Sequence, residues 1–105
     1  MDIENVVKAF GALSQDTRMN ILNLLVETGT NGLPAGDISL ALGVPQNTLS
    51  FHLSHLEAAD LVHRRRSGRF IIYSANHKTI DSLILYMGEN MREKIKDKSS
   101  SNLAS

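Results

Sequence analysis

The run QNTLSFHLSH, at positions 46–55, holds side chains suited to hydrogen bonding without full charge. Short amides, hydroxyls and imidazoles can donate to or accept from the edges of nucleic-acid bases and cost little to desolvate, whereas long charged chains are better suited to phosphates. Neither an acid nor a lysine occurs in this run, although an exposed helix face usually carries both. The candidate base-reading residues are Gln46, Asn47, Thr48, Ser50, Phe51, Ser54 and His55.

Phe51 is the least expected member of this set, because an exposed aromatic ring lowers solubility unless it meets an apolar partner. The methyl group of thymine is one such partner. Packing against the first helix or against a second subunit is the other, and the residue spacing does not decide between them.

A second candidate site lies downstream, where four arginines crowd around Ser67-Gly68. Guanidinium groups bind phosphate oxygens and enter narrow minor grooves. Neighbouring arginines on a strand point to opposite faces, and no acid is interleaved with them, which favours nucleic-acid contact over a solvated ribbon. The candidate backbone-binding residues are Arg64, Arg65, Arg66 and Arg69.

The net charge of zero conceals this basic segment. Residues 46–78 carry five bases, two acids and all four histidines, whereas the chain before Pro45 has five acids and two bases. Such asymmetry indicates a polyanionic partner.

Catalytic and metal-binding chemistry find little support. Ser50 and Ser54 lie near His52 and His55, but all four fall on one predicted helix without a buried acid to orient a base, and no glycine-rich phosphate loop occurs. His52 lies beside an apolar stripe, which predicts a packed, hydrogen-bonded histidine, and the two histidines lack a third metal ligand. The absence of cysteine excludes disulfides, thiolate metal sites and thiol redox sensing. We expect neither an enzyme nor a cofactor.

Apolar periodicity predicts the elements that position the first site. A helix covers residues 3–13, a second follows Ser14 as its N-cap and ends at Gly29, TNGLP forms a loop, and a short helix covers residues 38–42.

The first residues of the segment after Pro45 alternate between polar and apolar types, as in a β-strand. Proline is tolerated only in the first turn of a helix, and Leu49, Leu53 and Leu56 then recur at helical spacing while His55 breaks the alternation. We predict a helix.

The runs LVHRRR and RFIIYS, joined at Ser67-Gly68, predict a hairpin, and a last helix follows from His77. The whole order predicts a mainly α winged helix-turn-helix with five helices and a β-hairpin wing. We expect residues 1–96 to form one DNA-binding and dimerisation domain and residues 97–105 to form a disordered polar tail.

The first and last helices carry more apolar residues than a small core needs, which predicts a homodimer. Two-fold symmetry would place two recognition helices about one DNA turn apart on an inverted repeat. The predicted interface residues are Ile3, Val6, Val7, Phe10, Ile80, Leu83, Ile84, Met87 and Met91. The acidic N-terminus and the lack of a long apolar run predict a cytoplasmic protein without a membrane contact.

The stretch GDISLALGVPQNTLSFHLSHLEAADLVHRRRSGRFIIYS, preceded by SQDTRMNILNLL, closely resembles the ArsR/SmtB family of bacterial repressors. The resemblance covers residues 3–95 and implies a homodimeric repressor that binds double-stranded operator DNA and leaves it when an inducer arrives. The alternative is a winged-helix protein–protein adaptor with Phe51 as the anchor of a partner surface.

Departures from the family's sensor motifs leave the inducer open. The residues matching its thiolate motif, 33–38, read LPAGDI, without either cysteine. On the last helix, His77, Asp81, Glu89 and Glu93 resemble the family's zinc site but lack its second histidine, so we expect them to be surface polar groups.

Overall fold

Five α-helices and a three-stranded antiparallel sheet make up residues 1–96, the part of the chain that the computed structural model describes. The elements are α1 (Ile3–Leu13), α2 (Asp16–Thr28), a 3-10 turn (Gly29–Asn31), β1 (Leu33–Pro34), α3 (Ala35–Leu42), α4 (Gln46–Ala58), β2 (Val62–Ser67), β3 (Phe70–Ala75), α5 (His77–Leu85) and a π-helical continuation of α5 (Tyr86–Arg92). The predicted winged helix-turn-helix is confirmed. The proposed tail, 97–105, lies outside the described residues.

The junction of α1 and α2 differs from the sequence-based expectation. Ser14 terminates α1 instead of capping α2, and its hydroxyl donates to the carbonyl of Gly11 at 2.8 Å. Gln15 is the N-cap of α2, because its backbone is extended and its side-chain oxygen accepts from the amide of Arg18 at 3.0 Å. An amide oxygen on a longer side chain thus replaces the usual short cap.

The helix-turn-helix consists of α3, a tight turn and α4. The short helix begins at Ala35, directly after Pro34, and not at residue 38 as predicted. It ends at Gly43, whose φ of 66° and ψ of 33° lie in the left-handed region that glycine adopts without a steric penalty. Pro45 is extended and immediately precedes α4, so the proline-based helix prediction is confirmed.

The sheet has the order β1-β3-β2, and its first strand was missed. Leu33 pairs with Tyr73 and Pro34 with Ile72, so part of the predicted TNGLP loop is an edge strand. The wing turn is also one residue later than predicted: Ser67 still pairs with Phe70, which leaves Gly68 and Arg69 as the turn.

The core lies beneath α4 and joins it to every neighbouring layer. Fully buried side chains come from α2, α3, α4, the connection after α4 and the first residue of β2: Ile21, Leu25, Ile38, Leu49, Leu53, Leu56, Leu61 and Val62. Because α4 contributes three of them, its orientation is set by the core. Within residues 1–96, no helix combines the length and apolar character that crossing a bilayer requires.

The exit from α4 is fixed by Asp60, which has a φ of 62° although it is not glycine. Its backbone carbonyl accepts from the Asn76 side chain at 3.0 Å, and its carboxylate accepts from the Thr79 hydroxyl at 3.3 Å. The backbone amide of Asn76 also donates to the Leu61 carbonyl at 2.9 Å. These bonds tie the end of the helix-turn-helix to the first turn of α5.

Candidate nucleic-acid interface

The outer face of α4 presents uncharged polar groups to solvent, as the sequence predicts. The side chains of Leu49, Leu53 and Leu56 are at most 2 % exposed. Because they pack into the core, the opposite side of the helix faces solvent. Two polar side chains make local bonds: the Ser50 hydroxyl donates to the Gln46 carbonyl, and the Asn47 side-chain oxygen accepts from the next amide. All seven predicted base-reading residues are exposed: Gln46, Asn47, Thr48, Ser50, Phe51, Ser54 and His55.

Phe51 stays on the surface of the single chain, with 58 % of its area exposed. It stacks edge-on against His55, with 4.5 Å between the ring centroids, and lies 5.9 Å from His52. The guanidinium carbon of Arg18 lies 5.9 Å from the ring centroid. The ring is therefore held from its sides by polar neighbours while much of it remains open to a partner.

His52 is packed and hydrogen-bonded, which confirms its predicted structural role. It is 7 % exposed, and its Nδ1 accepts from the Nε of Arg18 at 3.2 Å. Burial lowers the pKa of His52, and the charge of Arg18 and the neighbouring His55 lower it further. An accepting Nδ1 requires a neutral ring with its hydrogen on Nε2.

Arg18 is a residue of this surface that sequence reasoning missed. It lies on α2, 34 residues before His52, and its side chain reaches across to α4. Its Nη1 also approaches the Ala12 carbonyl, at 3.5 Å. The one available signal was a lone arginine in an otherwise acidic N-terminal segment, which does not reveal a contact between helices.

The wing carries its four arginines in exposed positions, but they differ in what holds them. Contrary to the expectation that no acid pairs with them, the Nε of Arg64 lies 3.1 Å from a carboxylate oxygen of Glu57 on α4. Arg65 donates to the Asn31 carbonyl at 3.0 Å, and Arg66 donates to the Gly68 carbonyl at 3.2 Å. Arg69 lies in the turn itself. The positive tip of the wing therefore consists of Arg66 and Arg69.

The predicted interface residues of α1 and α5 fall into two groups. Val6 and Leu83 are at most 7 % exposed and belong to the core of the single chain, and Ile80 packs partly against that core. Val6 and Leu83 are corrected from interface to core residues, because α1 and α5 each need one apolar side to pack on their own chain, and Ile80 stays a predicted interface residue. Exposed apolar residues of the predicted set remain on the outer side: Ile3, Val7, Phe10, Ile84, Met87 and Met91.

The histidine and carboxylates of the last helix do not assemble into a site. Within residues 1–96, no three His, Asp or Glu side chains form a group that could hold a metal ion. His77, Asp81, Glu89 and Glu93 are all exposed.

Comparison with known proteins shows that this chain is similar to transcriptional regulators. A family model described as a helix-turn-helix domain matches residues 13–65, from the end of α1 through most of β2. The transcriptional repressor SdpR of Bacillus subtilis (strain 168) is 35 % identical over 78 residues, which span 74 % of this chain and 83 % of that protein.

Solved structures share the fold over nearly the whole chain. An ArsR-like transcriptional regulator from Rhodococcus sp. RHA1 superposes with a TM-score of 0.84 over 97 % of this chain and 93 % of that one, and at 24 % identity it supports the fold alone. A homodimeric winged helix-turn-helix DNA-binding domain from Mycobacterium bovis is 25 % identical, with a TM-score of 0.69 over 90 % of this chain and 85 % of that one.

Proposed function

The chain belongs to the ArsR family of winged helix-turn-helix transcriptional regulators, and on that premise we propose that it is a homodimeric repressor of an inverted-repeat operator. The family consists of regulators and not enzymes. In this proposal α4 enters the major groove of double-stranded DNA, the wing tip contacts the backbone or minor groove, and an inducer releases the complex.

The exposed, acid-free outer face of α4 is the observation that carries the proposal. A carboxylate there would repel phosphates, and a lysine would bind them at any sequence, whereas amides and hydroxyls match the donor and acceptor pattern of base edges. Asn47 and Ser50 lie in the first turns of α4, where helix-turn-helix proteins contact bases. Phe51 adds an apolar surface for a thymine methyl group.

The exposed apolar surfaces of α1 and the α5 continuation support dimerisation. Val7 on α1 and Ile84 on α5 are each 63 % exposed, and Ile3, Met87 and Met91 are further exposed apolar residues of the first helix and of the α5 continuation. Burying them between two copies would add apolar burial that so small a core lacks. The homodimeric relative from Mycobacterium bovis agrees with this proposal. A charge at such an interface would be desolvated without a partner, so Ile84→Glu should weaken the dimer about a hundredfold or more.

Analytical ultracentrifugation over a concentration series tests this part of the proposal. Leu40→Glu is the matched control, because Leu40 is 84 % exposed on α3 and lies outside the α1 and α5 surface. A wild-type chain that stays monomeric, or equal weakening by both variants, would rule out this interface.

Selection of bound duplexes from a random-sequence pool, followed by fluorescence anisotropy at several salt concentrations, tests the DNA-binding part. We expect an inverted repeat whose half-sites are centred about one helical turn apart. On unselected DNA we expect weaker, steeply salt-dependent binding. A protein–protein adaptor would enrich no sequence and bind random DNA negligibly, and that result would reject the repressor function.

A further inference from the structure

A basic groove lies at the base of the wing, apart from the outer face of α4 and from the Arg66 and Arg69 tip, although two other wing arginines, Arg64 and Arg65, help to line it. It has a volume of about 700 Å³ and lies between the hairpin, the first residues of α5 and Thr30 in the 3-10 turn after α2. Groove volumes of this order are typical of small-molecule sites. The residues that line it are Thr30, His63, Arg64, Arg65, Ser74, Ala75, Asn76, His77 and Lys78.

The charge of this groove is one-sided. Arg65 and Lys78 contribute permanent positive charge, His63 and His77 contribute imidazoles, and no acid is among the lining residues in the described part of the chain. Arg65 is already oriented, since one of its five N–H groups donates to the Asn31 carbonyl and leaves the others free for a ligand. A planar guanidinium, an ammonium and imidazoles together suit an oxyanion.

Ser74 adds a hydroxyl to this groove. It is 7 % exposed and lies on β3 opposite His63 of β2. The residue lines the groove, and a serine hydroxyl can donate a hydrogen bond to an oxyanion.

The groove faces away from the recognition helix. Successive side chains of β2 point to opposite faces, and Arg64 reaches Glu57 on α4 while Arg65 reaches Asn31 at the other side. Ser74 pairs with His63 near the base of the hairpin, whereas Arg66 and Arg69 lie at its tip. A duplex held by α4 and the wing tip would therefore leave the groove open.

We propose that this groove binds a small molecule bearing a phosphate or carboxylate group, with Lys78, Arg65 and the Ser74 hydroxyl as its main ligands. The bound oxyanion would connect β2 and β3 to the start of α5. This binding is independent of the operator binding proposed above, and it is measured without DNA.

Amide chemical shifts of the ¹⁵N-labelled full chain report the binding directly. Inorganic phosphate and citrate, each titrated against sodium chloride of equal ionic strength, should give saturable shifts around His63, Ser74 and His77, and the stronger of the two identifies the preferred anion. His77→Gln combined with Lys78→Gln should weaken this binding about tenfold, and Lys78→Arg should largely retain it. Ser74→Ala should weaken it without a change in charge.

The matched control removes two positive charges from the other end of the same hairpin, with Arg66→Gln and Arg69→Gln. We expect it to leave anion binding unchanged. Chemical shift changes that do not saturate would overturn the proposal. Equal weakening of anion binding in both double variants would overturn it as well. If the His77→Gln/Lys78→Gln variant instead lost duplex affinity and salt dependence as the control does, the groove would hold a DNA phosphate and the small-molecule proposal would be wrong.

Discussion

The outer face of α4 and the tip of the wing carry different side chains and rest on different supports. Three buried leucines hold α4 from behind, and its outward residues are uncharged polar groups together with the Phe51 and His55 rings. In β2, by contrast, every residue after Val62 is exposed, and the tip carries long arginines. Hydrogen bonds to base edges carry the sequence information and depend on directed donors and acceptors, whereas phosphate contacts are the same at every sequence. The comparison supports the proposal that α4 supplies sequence preference and the wing supplies general affinity.

Removing the support behind α4 should have the largest effect. Leu53→Ala leaves a cavity under the helix and should lower the free energy of unfolding by about 2–5 kcal/mol. Urea denaturation measures this change. Ser54→Ala, at the adjacent exposed position, should shift it by less than about 0.5 kcal/mol, and similar losses in both variants would mean that the core does not hold α4.

Changing the base-reading face should alter preference without altering fold. Asn47→Ala or Ser50→Ala should weaken binding to the selected operator by about 1–3 kcal/mol and leave binding to random DNA nearly unchanged. Anisotropy titrations on both duplexes measure the difference. Asn23→Ala, an exposed amide on α2, is the control, and equal losses on the two duplexes would remove α4 from base reading.

Changing the wing tip should lower general DNA affinity and leave sequence preference unchanged. Arg66→Ala together with Arg69→Ala should weaken binding to every sequence and reduce the slope of log K against log salt by about two. Lys8→Ala, an exposed charge on α1, should leave the slope unchanged. If the double variant kept the wild-type slope, the wing would not contact phosphates.

The smallest effect concerns His52 and follows from its lowered pKa. The unfolded chain binds a proton at this ring more readily than the folded chain does. The contribution of His52 to the free energy of unfolding is therefore complete above the ordinary pKa of 6.5. That contribution declines as the pH falls from 6.5 toward the lower pKa of the folded state. His52→Gln keeps an acceptor for Arg18 and should flatten this decline. Urea midpoints measured from about pH 8 to pH 5 compare the two slopes, and parallel curves would exclude His52 as the cause.

The sequence was sufficient to predict the helix order and the exposed face of α4, because proline placement and leucine spacing are local signals that the core reinforces. It was insufficient for β1, since Leu33 and Pro34 are too few to show a period and are defined by pairing with β3. The turn position also depended on pairing, because Ser67 opposite Phe70 moves the turn to Gly68 and Arg69.

Side-chain contacts between secondary-structure elements were the other feature that the sequence did not predict. Nothing in the local pattern shows that Arg18 reaches His52 or that Glu57 pairs with Arg64, because these residues meet only when α2, α4 and β2 have packed. For the same reason, periodicity assigned Val6 and Leu83 to a subunit interface when the chain's own core contains them. A stripe identifies an apolar side of a helix but not which neighbour covers it.

Asp60 makes the helix-turn-helix and the last helix mechanically dependent on each other. Its left-handed backbone ends α4, and both its carbonyl and its carboxylate are bonded to the first turn of α5. A sideways shift of α5 would therefore either break these bonds or twist a residue that few side chain types can replace. Whatever moves α5 therefore also pulls on the end of α4, the helix proposed to enter the major groove.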